Sequence, residues 1–133
     1  MLNPFPHLLV FSFFAPTLLR LAVAGVFFYL AIFHLKNHKT VAREISVIDY
    51  SVALWLSGLF TLVEGAVAVF LLVGFLTQIA ALVGAIICLK IFFIKRGLRH
   101  ISPLSHLAYI LLAIICLSLL MTGAGAFAFD VPL

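Results

Sequence analysis

The chain has 133 residues, of which 66% are hydrophobic and only 9% are charged, and its formal net charge is +4. A soluble domain carries about 45–50% apolar and about 25% charged residues, so this composition excludes an ordinary soluble domain and indicates a protein embedded in lipid. The basic residues occupy short segments between apolar runs and form no continuous basic face, which argues against nucleic-acid binding. We therefore expect a single transmembrane domain over residues 1–133, with the lipid bilayer as its surroundings.

The first fourteen residues, MLNPFPHLLVFSFF, are apolar but too short to cross a bilayer. Pro4, Pro6 and Pro16 interrupt this stretch, so we predict an irregular segment at the membrane interface, or an extra turn of the first helix kinked at Pro16. A cleaved signal peptide is disfavoured because no Lys or Arg precedes the apolar run and Arg20 lies inside it.

Four apolar runs are long enough to cross a hydrocarbon core of about 30 Å, which requires about 20 helical residues. Helices are favoured because lipid offers the backbone no hydrogen-bond partners. The predicted spans cover approximately residues 15–33, 52–73, 76–94 and 107–126. The predicted fold class is therefore all-α, an integral membrane four-helix bundle.

Lysine and arginine are concentrated in two of the connecting segments, those after the first and third spans. These segments contain Lys36, Lys39 and Arg43, and Lys95, Arg96 and Arg99. The segments on the opposite side contain neither residue type. By the positive-inside rule, the basic segments face the cytoplasm and both termini lie on the outer side of a prokaryotic cytoplasmic (inner) membrane, which the chain crosses several times.

Four ionisable residues within or at the ends of the apolar runs are candidates for a binding site: Arg20, His34, Glu64 and Lys90. Ionisable residues at membrane depth are costly and face the bundle interior. On the second span, Ser57, Thr61 and Glu64 share a helical face, and Arg20 and His34 share one on the first span with Phe27. We predict that the four ionisable residues form an interior polar cluster. Two interpretations remain open: they only hold the helices together, or they serve a ligand, a proton or a redox reaction.

The depth of each residue predicts the partner of Glu64. Counted from the outer ends of the spans, Arg20 is about five residues deep and Glu64 about ten, an axial offset of about 7 Å that an arginine can bridge. We therefore predict an ion pair between Arg20 and Glu64. Lys90 lies closer to the cytoplasmic end, where its side chain can extend toward the interface.

Small residues recur on the third span as Ala80 with Gly84 and Ala81 with Ala85. Such pairs allow helices to approach closely, and we favour packing within the bundle over dimerisation through this face.

Histidines and cysteines are candidates for cofactor and redox chemistry. His34 and His106, near the cytoplasmic face, could ligate a haem, but we favour an interfacial role, and the absence of a C-x-x-C-H motif argues against covalent haem. Cys88 and Cys116 are expected to pack inside the spans, because a thiol relay would place a C-x-x-C at the surface. The sequence has no zinc-ligand spacing, and no metal site is predicted.

Three stretches resemble the DoxX family of small prokaryotic membrane proteins: LLRLAVAGVFFYLAIFHLK at 18–36, VEGAVAVFLLVGFLTQIAALVGAII at 63–87 and LLAIICLSLLMTGAGAFAFD at 111–130. The family's motif positions map onto Arg20, His34, Lys36, Glu64, Gly65, Gly74, Thr77, Gly123, Gly125 and Asp130. One departure is Leu35, which follows the histidine where the family usually has glycine.

The resemblance implies a non-autonomous membrane subunit linked to thiosulfate:quinone oxidoreduction or oxidative-stress complexes, with a partner protein or a second copy of the chain. A quinone is then a candidate ligand, and haem is not expected. The residues themselves leave two alternatives open, a small transporter or proton-conducting bundle and a non-catalytic assembly subunit. Whether the chain is itself an enzyme stays undecided at this point.

Overall fold

A computed structural model of the chain describes residues 14–45, 49–94 and 103–122. These residues form five helices: α1 (Ala15–Lys36), α2 (His38–Ile45), α3 (Tyr50–Val73), α4 (Thr77–Ile94) and α5 (His106–Thr122). No strand occurs in the described ranges. The predicted all-α class is therefore confirmed for this part of the chain.

The long helices follow the predicted apolar runs closely. Helix α1 continues three residues beyond the predicted end at 33, and α3 begins two residues before the predicted start at 52. Pro16 is the second residue of α1, in the first turn, where a missing N–H has no consequence. The segment before residue 14, the basic residues 95–99 and the Gly123, Gly125 and Asp130 motif lie outside the described residues.

Helix α2 was not predicted, and its formation depends on packing. Asn37 ends α1, with its backbone N–H and its side-chain amide both donating to the carbonyl of Phe33. The next eight residues form a helix that buries Val41 and Ala42, while Lys39 and Arg43 are exposed. Helix α2 packs mainly against α3. A short segment rich in basic residues is therefore helical because its apolar face is covered.

A tight turn joins α3 to α4. Gly74 adopts the left-handed conformation with φ 75°, and its N–H donates to the carbonyl of Phe70, which also accepts the N–H of Phe75. Glycine reaches this conformation without the steric cost that a Cβ brings. The turn makes α3 and α4 an antiparallel hairpin, as the short connecting segment predicted.

The four long helices contact one another in a closed order. Helix α1 packs against α3 and α5, and α4 packs against the same two helices. Apolar side chains from all four fill the centre, among them Phe27, Leu30, Leu71, Tyr109 and Leu119. Both predicted polar faces are buried: Arg20 and His34 on α1, and Ser57, Thr61 and Glu64 on α3.

The small residues of α4 pack inside the molecule. Ala80, Ala81, Gly84 and Ala85 are all buried. A Cβ added at Gly84 would stand 3.1 Å from the ring of Phe27 and 3.4 Å from Cys116 Sγ. The packing of α4 against α5, and the space that the Phe27 ring of α1 occupies between them, therefore depend on glycine, which agrees with the preference for packing within the chain.

Large apolar side chains cover the exterior. Trp55 and Leu107 are each 76% exposed, and Met121 is 84% exposed. An apolar surface of this extent indicates contact with lipid or another apolar partner. Helices α1 and α3 are long and apolar enough to cross a membrane by length and composition, whereas the apolar segments Thr77–Phe93 and His106–Thr122 are shorter.

Candidate functional site

A buried pair of polar residues joins α1 to α3. Glu64 is completely buried, and its Oε2 lies 2.6 Å from Nδ1 of His34, which is also buried. The imidazole Nδ1–H donates to the carboxylate in a short, charge-assisted hydrogen bond. The second carboxylate oxygen, Oε1, is buried and accepts no hydrogen bond from any described residue. One hydrogen bond therefore joins the two side chains, both buried inside the molecule.

The predicted pairing of Glu64 with Arg20 is wrong. The ion-pair partner of Glu64 is His34. Arg20 is buried on the same face of α1 but fourteen residues earlier, which places it about 21 Å away along the helix. The count from the outer ends assumed that the start of α1 and the end of α3 lie at the same level.

The axial offset between α1 and α3 explains the change of partner. The Ser57 hydroxyl donates to the carbonyl of His38 at 3.4 Å, so the end of α1 lies beside the third turn of α3. The first turns of α3 extend beyond α1, and α2 packs against α3. This offset brings the last turn of α1, and with it His34, to the level of Glu64.

A cavity of about 400 Å³ lies beside this pair, and we call it the α3–α4 cavity. It is lined by His34, Val41, Leu56, Ser57, Leu59, Phe60, Val63, Ile86, Ile87, Lys90 and Ile91. The walls are mainly apolar, and the polar side chains among them are His34, Ser57 and Lys90. Apolar cavities of about 300–1,000 Å³ with a few polar groups are typical of small-molecule sites.

Phe60 contacts two of the polar side chains of the cavity. Its ring centroid lies 6.0 Å from that of His34, at an interplanar angle of 64°. The Lys90 Nζ lies 5.6 Å from the same centroid, within the range of a cation–π interaction. Phe60 thus contacts both a hydrogen-bonding imidazole and an exposed cation, which are chemically different polar groups of the cavity.

Three of the four predicted site residues come together here. His34 and Lys90 line the α3–α4 cavity, and Glu64 stands behind His34, whereas Arg20 lies elsewhere. Phe60 was missed, because an aromatic residue in an apolar run carries no signal of its own in the sequence. Its position four residues before Glu64, on one helical face, was the available indication.

The other candidate residues lie in different surroundings. His106 is exposed at the start of α5, with its ring 5.8 Å from that of Phe92, as expected for an interfacial residue. The interfacial role expected for His34 is wrong, because that side chain is buried against Glu64. Cys88 and Cys116 are completely buried members of the core, as predicted for cysteines that pack. Among the described residues, no three His, Cys, Asp or Glu side chains are grouped closely enough to hold a metal ion.

The fold and site define a small helical protein with an apolar exterior, a buried polar pair and an apolar cavity. The DoxX family model matches residues 15–97, which is more than half of the chain and contains every described residue of the site. The chain belongs to the DoxX family, and with its two apolar helices it is a small membrane protein. No curated protein and no solved structure shows significant similarity to it.

Proposed function

We propose that this protein is a non-autonomous subunit of a membrane-associated redox complex and that it holds a quinone in the α3–α4 cavity. The observation that carries the proposal is an apolar cavity of about 400 Å³ whose wall contains His34, hydrogen-bonded to the buried Glu64. The resemblance to the DoxX family, which implies a subunit linked to thiosulfate:quinone oxidoreduction, supports the same proposal. The redox partner in this proposal is another protein of the complex.

The chemistry of a quinone suits these walls. Its ring is flat and apolar, and its two carbonyl oxygens accept hydrogen bonds from groups such as an imidazole or an ammonium. Leu59 and Ile86 line the cavity and are also exposed on the apolar exterior, 47% and 56% respectively. A long apolar tail can therefore leave the cavity between α3 and α4 and continue into lipid.

The membrane arrangement belongs to the same proposal. We place α1, α3, α4 and α5 across a prokaryotic cytoplasmic membrane as a four-helix bundle, with both termini outside. The closed packing order of the four helices supports this arrangement, as do Lys39 and Arg43 on the exposed face of α2, which we assign to the cytoplasmic side. The partner in the complex is a second protein or another copy of this chain.

The test is whether quinone stays with the purified protein. We would isolate it with its native lipids in nanodiscs, extract the lipids and measure quinone per chain. Val63→Trp fills the cavity from α3, and Val69→Trp places the same side chain on an exposed position of that helix. We expect quinone with the wild type and Val69→Trp, and a loss of about tenfold or more with Val63→Trp. Equal quinone in the two variants, or none in the wild type, would refute the proposal.

A proton-conducting bundle is the second candidate, and one observation favours it. Glu64 Oε1 is buried without a hydrogen bond to any described residue, as expected for a carboxylate that accepts and releases a proton in the membrane. Proton flux into liposomes, followed with a pH-sensitive dye, tests it. Flux that Glu64→Gln abolishes and Thr61→Ala retains supports conduction, and wild-type flux no higher than that of empty liposomes excludes it.

A further inference from the structure

We propose that the α3–α4 cavity also binds a single-chain lipid carboxylate, with its acid group on Lys90 and its chain along the apolar wall. This inference goes beyond the quinone proposal, because the ligand belongs to another chemical class and its negative charge requires the cation of Lys90. It rests on the charge of Lys90 and on the size and opening of the cavity.

Lys90 presents a positive charge that no described carboxylate neutralises. Its Nζ lies over the ring of Phe60 and lines the cavity. Among the described acidic side chains, Glu64 is bound to His34 and Asp49 accepts a hydrogen bond from Ser51. A cation–π contact is a weak substitute for an ion pair in an apolar environment. Charge complementarity therefore selects an anion for this position.

The remainder of the cavity suits a hydrocarbon chain. From Lys90 its walls continue over Ile87, Ile86, Val63 and Leu59, without another charged side chain among the described residues. Since Leu59 and Ile86 are also exposed on the exterior, the ligand can enter sideways from the bilayer. A volume of about 400 Å³ lies near the lower end for small-molecule sites, which favours one acyl chain over a two-chain phospholipid.

The acid group distinguishes this ligand from other apolar molecules. An alcohol with the same chain fills the cavity equally well but brings no negative charge to Lys90. A carboxylate makes an ion pair at the edge of a low-dielectric wall, where the attraction is screened less than in water. Binding should therefore depend on both the acid group and the lysine.

The experiment compares oleate with oleyl alcohol on the detergent-purified full chain, with native mass spectrometry to count and rank bound ligands. The variants are Lys90→Gln, Lys90→Arg and Lys39→Gln, the last of which removes an exposed lysine from α2, outside the cavity. We expect one oleate per chain in the wild type, Lys90→Arg and Lys39→Gln. We expect about tenfold or more weaker oleate binding in Lys90→Gln, and weak oleyl alcohol binding in all four proteins.

Two outcomes would overturn the inference. Equal losses in Lys90→Gln and Lys39→Gln would show that oleate responds only to overall charge. Equal binding of oleate and oleyl alcohol to the wild type would show that the acid group is not recognised. Lys90→Arg keeps the charge, so a loss of oleate binding together with a lowered melting temperature in this variant would identify a folding defect. Lys90→Gln would then decide the question: weaker oleate binding supports the inference, and binding equal to that of the wild type overturns it. Oleate binding without co-purified quinone would refute the proposed function and leave this inference in place. Co-purified quinone without oleate binding would refute this inference and leave the proposed function in place.

Discussion

At the scale of single residues, the His34–Glu64 hydrogen bond joins α1 to α3. Both side chains are buried, and the carboxylate has no other partner among the described residues. A buried polar pair gives little net stability when intact, but removal of one partner leaves the other without compensation. Each of the two residues is therefore required for stability as long as the other is present.

A double-mutant cycle tests this dependence. We expect His34→Leu and Glu64→Leu each to lower the free energy of unfolding by about 3–5 kcal/mol, and the double variant to lose much less than the sum, since the hydrogen bond is then removed from both sides at once. Unfolding in detergent or bicelles provides the measurement.

Arg20 supplies the control cycle for this test. Arg20→Leu combined with Glu64→Leu should give additive losses, because the two residues lie about 21 Å apart along the helices and do not pair. Additivity in the His34 cycle, or strong coupling in the Arg20 cycle, would contradict the pairing seen in the structure.

The polar faces of the site could be predicted from the sequence, but the pairing within them could not. A helical period places Arg20 and His34 on one face of α1, and Ser57 and Glu64 on one face of α3. Which of these residues meet depends on how far one helix is shifted along the other. The segment between the two helices is α2, whose eight residues form no apolar run from which the shift could be counted.

At the scale of helices, the contact of α4 with α1 depends on the absence of a side chain at Gly84. An added Cβ would stand 3.1 Å from Phe27 Cζ, and Phe27 is completely buried, so its ring has little room to move. The neighbouring Cys116 Sγ closes the other side. Steric overlap therefore outweighs the helix propensity that alanine would bring.

We predict opposite effects for alanine at two helical glycines. Gly84→Ala should lower the free energy of unfolding by about 1–3 kcal/mol through overpacking. Gly58→Ala, where nothing lies within 4 Å of the added Cβ, should raise it by about 0.5–1 kcal/mol. Thermal or denaturant unfolding of the two variants in the same detergent measures the difference. A stabilising Gly84→Ala would show that the Phe27 ring can move away.

Helix α2 shows why short elements escape prediction. Its sequence, HKTVAREI, has the composition of a loop, and an isolated helix of this length is marginal in water. It forms because Val41 and Ala42 are covered by neighbouring helices while Lys39 faces outward. Such a helix is a consequence of tertiary packing, and composition alone does not encode it.

At the scale of the whole molecule, composition predicted the helical class and the apolar exterior correctly. With so few charged residues, a chain of this size can satisfy its backbone in lipid only through helices or a closed barrel, and the long apolar runs favour helices. The order in which the helices contact one another was not predictable, because the apolar faces of different spans are chemically alike. Side-chain shape, which lets the Phe27 ring of α1 reach Gly84 of α4 across the centre, determines how closely the four helices pack.

Membrane orientation is the prediction that belongs to this scale. In a background with Cys88 and Cys116 replaced by alanine, which we expect to retain the fold and function, Lys39→Cys should react with a membrane-impermeant maleimide only after the cells are opened. A cysteine placed after Asp130 should react in intact cells. Labelling of position 39 from outside would reverse the orientation that we propose.

Trp55 is the only tryptophan in the sequence, and three-quarters of its surface is exposed on α3, next to the cavity-lining Leu56. Every photon of indole emission from the purified protein therefore originates at one known position on its exterior. Bilayers whose acyl chains carry bromine at a chosen carbon quench an indole that lies at the same depth. A series of such lipids, brominated at different carbons, would measure the depth of α3 in the bilayer from the natural fluorescence of this chain, with no label attached.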